Sequence, residues 1–263
     1  MKKLVIVFFV VCIAAVMTST AQTSKSYVML GLKKAMKGLY KEAIAEYDKA
    51  IELNPQEAML YVIRGTSKSA LGDKNGAFAD YTKAIEVNPQ EADAYFQRGY
   101  AKNDLGDTKG AIADYTKAIE INPQFALAYY NRGLAKSALG DKEGAISDYT
   151  KAIEANPLYA QPYSDRGTAK YDLGNSKGAI ADYTKAIELN PQFAEAYSNR
   201  GIVKASLGDT ESAITDFNKA IEVNPQYAKA YDDRGTTKFD LGDKEGAIAD
   251  YTKAIEFNPK DAD

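Results

Sequence analysis

Apolar residues over 111–119 fall at Ala111, Ile112, Tyr115, Ala118 and Ile119, a spacing of i, i+1, i+4, i+7 and i+8 that lays them on one helical face. Upstream, Ala94 to Leu105 predicts a second helix, with Tyr95, Gly99 and Leu105 on its packing side. Gly106 ends that helix, because glycine enters the left-handed region without a steric cost. Asp107 is placed to cap the next helix by accepting orphan amide protons. Pro123 then stops it near Ile121 by excluding the preceding residue from the α region. Gly99 lacks a Cβ, which lets the two helices approach closely. Neither short helix hides its apolar stripe alone, so the pair predicts stacked neighbours.

The pair recurs. Asn-Pro stands at Asn54-Pro55, Asn88-Pro89, Asn122-Pro123, Asn156-Pro157, Asn190-Pro191, Asn224-Pro225 and Asn258-Pro259, and every step is 34 residues. Aligned on the prolines, the chain divides into seven repeats: 24–57, 58–91, 92–125, 126–159, 160–193, 194–227 and 228–261. The chain has 263 residues; setting aside the first 23 leaves 240, and seven repeats of 34 take up 238 of them. A fixed internal period predicts an all-α, elongated array with no single central core.

Within each repeat, position 8 is Gly from Gly31 to Gly235, position 20 is Ala from Ala43 to Ala247, and position 24 is Tyr or Phe from Tyr47 to Tyr251. Position 27 is always Ala and position 32 always Pro. On these residues the chain resembles the tetratricopeptide repeat (TPR) family over 24–261. The resemblance implies a right-handed α-solenoid superhelix of seven 34-residue helix-turn-helix units, acting as a non-catalytic protein-protein interaction scaffold. It also implies that the first helices line a concave groove for a peptide or partner helix. RNA-reading repeats of 35 residues fit poorly, since they differ in period and expect a basic groove. The chain departs from the family at position 11, where a common Tyr is Lys throughout (Lys34 to Lys238); the lysine stem is expected to cover the same apolar ground while its ammonium reaches water. Position 7 is Arg and position 23 is Asp in repeats two to seven, and both change together in repeat one, to Leu30 and Glu46. The covariation predicts an Arg-Asp pair between the two helices, against the alternative of two unrelated solvated faces. The family subclass that grips C-terminal carboxylates needs Lys and Asn at positions 5 and 9. Here those positions hold Val62 and Thr66, Phe96 and Tyr100, or Tyr130 and Leu134, so such a clamp is not implied.

Seven internal copies can be compared with one another. Second helices hardly vary: Gly110 to Glu120, Gly178 to Glu188 and Gly246 to Glu256 are the same eleven residues at a spacing of 68, which points to duplication of a two-repeat block. Variation gathers on the first helix at positions 2, 5, 6, 9, 12 and 13, which share a face. The candidate partner groove is therefore Phe96, Gln97, Tyr100, Asp104, Tyr130, Asn131, Asp165, Tyr171, Asp172, Asn199, Asp232, Asp233, Phe239 and Asp240. An acidic groove with aromatic islands favours a Lys- or Arg-containing protein or peptide; the alternative is solvated surface that keeps the array soluble.

Composition narrows the chemistry further. There is no His, and the one cysteine, Cys12, lies in an apolar N-terminal run, so the repeats have no imidazole, thiol or disulfide to work with. No cofactor, metal site or catalytic residue is expected. Net charge is -3, the opposite of the basic footprint that nucleic acid requires. Lys2 and Lys3, an apolar stretch from Leu4 to Met17, and small residues at Ser19 and Ala21 have the form of a signal peptide over 1–21, which predicts a periplasmic or secreted protein. Fourteen apolar residues are short for a membrane span, and Val11 and Phe9 before Cys12 do not match a lipidation motif. The last second helix is expected to leave Ala247, Tyr251, Ala254 and Ile255 without a following repeat, which makes self-association through the C-terminal repeat the alternative function. Cleavage of 1–21 predicts exported protein whose intact mass begins at Gln22; a retained Met1 would overturn it.

Overall fold

A computed structural model describes residues 22–259, and the signal-peptide expectation, including Cys12, lies outside the described residues. The described residues form fourteen helices in seven hairpins and no strand. Repeat one is α1 (22–35) and α2 (Tyr40–Leu53); repeat two is α3 (Ala58–Ala70) and α4 (Lys74–Val87); repeat three is α5 (Ala92–Asp104) and α6 (Thr108–Ile121). Repeat four is α7 (Ala126–Ala138) and α8 (Lys142–Ala155); repeat five is α9 (Ala160–Asp172) and α10 (Ser176–Leu189). Repeats six and seven are α11 (Ala194–Ser206) with α12 (Thr210–Val223), and α13 (Ala228–Asp240) with α14 (Lys244–Phe257). No helix among the described residues is long and apolar enough to cross a membrane.

Local signals act as the sequence predicts. Gly106 takes φ +85°, and Asp107 caps α6 by accepting from the Gly110 amide at 2.9 Å. A Cβ on Gly99 would lie 2.9 Å from the Tyr115 ring, so glycine is what lets the hairpin close. The position-24 ring that fills this gap is 1% to 2% exposed in repeats one to six, while the equivalent Tyr251 is half-buried. Burying each such ring stabilises by about 2–3 kcal/mol.

The described residues fall into two compact bodies that divide between Ala128 and Tyr129. In the first, α2 packs on α3, α4 on α5, and α3 touches α5; the core around Tyr61, Val62 and Ala84 takes in Ile51 and Ile85. In the second, α8 packs on α9, α10 on α11 and α12 on α13, while the first helices α9, α11 and α13 touch in succession.

The Arg-Asp pair forms, and it is larger than expected. Arg98 donates to Asp114 from Nε at 2.9 Å and from Nη2 at 2.8 Å, and Lys102 at position 11 reaches the same carboxylate at 2.8 Å. The Arg98 guanidinium also lies 5.7 Å from the Tyr95 ring centre. The same arrangement recurs at Asp80, Asp148, Asp182, Asp216 and Asp250, each carboxylate nearly sealed and met by one Arg and one Lys. In repeat one, where Leu30 replaces the Arg, Lys34 reaches Glu46 at 2.7 Å. The ammonium at position 11 thus turns inward to a buried carboxylate instead of outward to water. The pairing also crosses between repeats: Arg166 donates to Thr150 at 2.9 Å and Arg200 to Thr184 at 3.0 Å, each on the preceding second helix.

Two apolar expectations change. Leu105 is 56% exposed, because position 14 falls on the turn after the helix and points off the hairpin. Ala247 is 1% exposed, since it faces α13 inside its own hairpin; the outer face of α14 exposes Ile248 and Ile255 instead, with Tyr251 and Ala254 half-buried. For the charged core, Asp114→Asn should lower unfolding free energy by about 3 kcal/mol, because it leaves two half-buried cations without their counter-charge. Combined with Arg98→Met, the double variant should lose less than the sum by about 1–3 kcal/mol; additivity in denaturant unfolding would mean that the two residues act independently.

Candidate functional site

Second helices give their buried faces to the hairpin and the next repeat, and the repeats differ from one another mainly along the first helices. In the second body, positions 5 and 6 of successive first helices make rungs. The Tyr130 hydroxyl on α7 donates to Asp165 Oδ2 on α9 at 2.8 Å, and Ser198 Oγ on α11 donates to Asp233 Oδ2 on α13 at 2.8 Å. The rung between them pairs Ser164 with Asn199 by position, and Ser164 Oγ, in a side chain 1% exposed, has no hydrogen-bond partner.

Asp165 sits among aromatic rings. Tyr130 meets Tyr159 edge-on at 5.1 Å and Tyr149 at 6.0 Å. Burial raises the Asp165 carboxyl above the ordinary carboxylate range; the Tyr130 and Gln161 hydrogen bonds oppose that shift, and the Glu195 charge adds to it. Burial also raises Asp233, opposed by Lys229 and Ser198; Lys229 Nζ stands 3.2 Å from its carboxylate. Burial raises the hydroxyls of Tyr130 and Tyr149, with the Asp165 charge adding to both, and pushes Tyr183 and Tyr227 up to about 12.

The predicted groove residues fall in both bodies, with Phe96, Gln97, Tyr100 and Asp104 in the first and the others in the second. Tyr130, Asp165 and Asp233 stand on the rungs, and exposed Asp232 borders the second. Tyr171 packs inward against Tyr183 and Val203, and Phe96 packs against Phe125 and Tyr115 in the first body, at 5.0 and 5.8 Å. Both are partly core. Asp104 pairs with Lys74 at 2.5 Å and Asp172 pairs with Lys142, each lysine opening the second helix of the preceding repeat, so these carboxylates bridge repeats. Repeat six has Thr210 where those lysines stand, so Asp240 lacks the equivalent partner. Tyr100, Phe239 and Asp240 are exposed, and Gln97, Asn131 and Asn199 are half-buried.

Glu195, Gln161 and Lys229 at position 2, and Tyr159 and Tyr227 at position 34, were not singled out from sequence. Their signal was present: position 34 is Phe125, Tyr159, Phe193 and Tyr227 in repeats three to six, a run of aromatics immediately before each following first helix.

Profiles described as TPR repeat match 99–140 and 167–208, and tetratricopeptide repeat profiles match 24–57, 60–91, 80–113, 126–159, 194–227 and 228–261. No curated protein sequence matches. Among solved structures, YrrB, described as a TPR protein with an unusual peptide-binding site, is 28% identical with a TM-score of 0.57, over 68% of this chain and 93% of that one. MamA is 29% identical with a TM-score of 0.57, over 62% of this chain and 96% of that one. A tetratricopeptide repeat protein from Parabacteroides merdae, 23% identical, covers 90% of this chain and 94% of its own at a TM-score of 0.67, a likeness of fold.

A raised carboxyl means that the folded state holds the Asp165 proton more tightly than the unfolded chain does. Its contribution to stability is greatest at low pH and is lost as pH rises through the raised value. Asp165→Asn keeps an acceptor for Tyr130 and removes the buried charge, so the variant should unfold at a higher temperature than the parent at pH 7. The gap should close as the pH falls toward about 4. A variant less stable at pH 7 would show that the carboxylate is compensated within the fold.

Proposed function

The chain belongs to the tetratricopeptide repeat family, and from that premise we propose that it is a non-catalytic scaffold binding a peptide or partner helix along its first-helix face. The observation that carries the proposal is the half-buried carboxylate of Asp165, set on that face among the Tyr130 and Tyr159 rings. Partly desolvated negative charge beside aromatic rings favours a partner that brings Lys or Arg. The described peptide-binding site of YrrB supports the same mode of action. The N-terminal segment, with its basic start and short apolar run, supports work outside the cytoplasm, in the periplasm or the secreted fraction.

A second reading is self-association through repeat seven. It is favoured by the outer face of α14, where Ile248 is 65% and Ile255 51% exposed beside a cleft of about 810 Å³ lined by Tyr227, Tyr251 and Phe257.

One experiment separates the two. A photo-crosslinking side chain placed at Tyr100 or Phe239 should capture a Lys- or Arg-bearing partner from the native exported fraction, while one at Glu120 or Glu188 on the second helices should not. Equal capture from both faces would overturn the groove reading. Cross-links from Ile248 to a second copy of the chain would favour self-association, and their absence at high concentration would count against it.

A further inference from the structure

Buried carboxylates in this chain are matched with cations. Asp80, Asp114, Asp148, Asp182, Asp216 and Asp250 each have an Arg and a Lys, and Glu46 has Lys34 and Lys49. Asp233, on the first-helix face, has Lys229 four residues before it. Asp165 occupies the same position two repeats earlier, but the residue four before it is Gln161. The groups around its carboxylate are neutral or negative: the Tyr130 hydroxyl at 2.8 Å, Gln161 and Glu195. A half-buried carboxylate held only by neutral donors and facing a second acid lacks the counter-charge that Asp233 and the sealed position-23 carboxylates have.

A separate observation points the same way. Ser164 stands beside Asp165 on α9, at the position from which Tyr130 and Ser198 direct their hydroxyls to the next repeat. Its own hydroxyl is sealed and has no partner, so the row of polar groups past Asp165 is incomplete. Tyr130 and Tyr159 supply aromatic surface on one side, and exposed Glu195 leaves the place open to solvent.

We infer that Asp165, Glu195, Tyr130 and Tyr159 form a socket for one cationic side chain, an arginine or lysine, brought by the bound partner. The inference rests on the first-helix face being the binding face, and it fixes where on that face the charge is read. The ammonium or guanidinium takes the place that Lys229 fills beside Asp233, with its donors toward Asp165 and Glu195 and its apolar stem along the rings. Position 2 therefore decides whether a repeat reads a partner's cation: Lys229 closes the socket of repeat seven, and Gln161 leaves that of repeat five open.

The probe is a seven-residue peptide with a central arginine, titrated beside its citrulline twin, which keeps the shape and removes the charge. Ring signals of Tyr130 and Tyr159 report binding in the full chain labelled on tyrosine. The arginine peptide should bind at least about tenfold more tightly than the citrulline peptide, and a lysine peptide should fall on the arginine side. Asp165→Asn should bring the ratio below about twofold. Gln161→Lys should do the same by supplying the cation from within, while Glu188→Gln, which changes net charge by the same amount on a second helix, should leave the ratio intact. Equal binding of the two peptides, no saturable shift with either, or a ratio that survives both Asp165→Asn and Gln161→Lys would overturn the socket. Partner capture at Tyr100 together with no arginine preference would remove the socket and leave the binding reading standing.

Discussion

The hairpin depends on a nearly sealed aspartate at position 23 that is met by an arginine and a lysine from the facing helix. A carboxylate in that setting is costly alone and tolerable only with its partners in place. The interaction therefore fixes more than one contact. Arg98 must reach Asp114 with its fork aligned, which sets the rotation of α5 against α6, and its guanidinium packs near Tyr95, which orients that ring. In repeats five and six the same arginine also holds a threonine of the preceding second helix, so the charge pair links the hairpin to the stack. Small residues do the complementary work: with no Cβ at Gly99, the Tyr115 ring closes over the space beside the pair. Directional charge and close packing thus specify one geometry, repeated every 34 residues.

That constraint decides where function has room. Positions 7, 8, 11, 20, 23, 24 and 27 are consumed by the hairpin and its neighbours, and changing any of them disturbs a buried contact. Positions 2, 5, 6 and 34 meet on the first-helix side, and there the repeats differ from one another. The contrast between Gln161 and Lys229 illustrates this variation, since the two residues occupy the same position and give a half-buried aspartate opposite surroundings. Asp165 and Asp233 stand 68 residues apart, the same spacing as the identical second-helix segments, and differ in surroundings through position 2.

Nearly all of the fold was legible in the sequence, because the signals that build it are local and repeated. Gly106, Asp107 and Pro123 mark helix ends through backbone chemistry, and the joint change to Leu30 and Glu46 marks a contact between helices. The inward turn of the lysine at repeat position 11 is not legible, because a long amphipathic side chain on a helix gives no sign of which end it buries, and the arginine at position 7 already accounts for the aspartate at position 23. The exposure of Leu105 is not legible either, because the apolar periodicity continues past the last helical turn, whereas the helical backbone does not. The variable first-helix face was legible as a face and much less so as a set of contacts. Asp104 and Asp172 share a face with Asp165 by spacing, yet they pair with Lys74 and Lys142 from the preceding repeat, and that depends on how far apart neighbouring helices lie.

Acidity along the repeats thus has three physical meanings that composition alone cannot separate. Asp114 is acidic because the hairpin needs a counter-charge for two cations. Asp104 is acidic because an exposed lysine lies across from it, and such surface pairs contribute roughly 0–1 kcal/mol. Asp165 belongs to neither class: it is buried enough for its charge to matter and has no cation to answer it. A residue of that third kind is a cost to the isolated chain, and selection keeps such a cost most readily where something outside the chain offsets it. For this protein, therefore, the informative quantity is the local balance of charge around each carboxylate, and net charge conceals it.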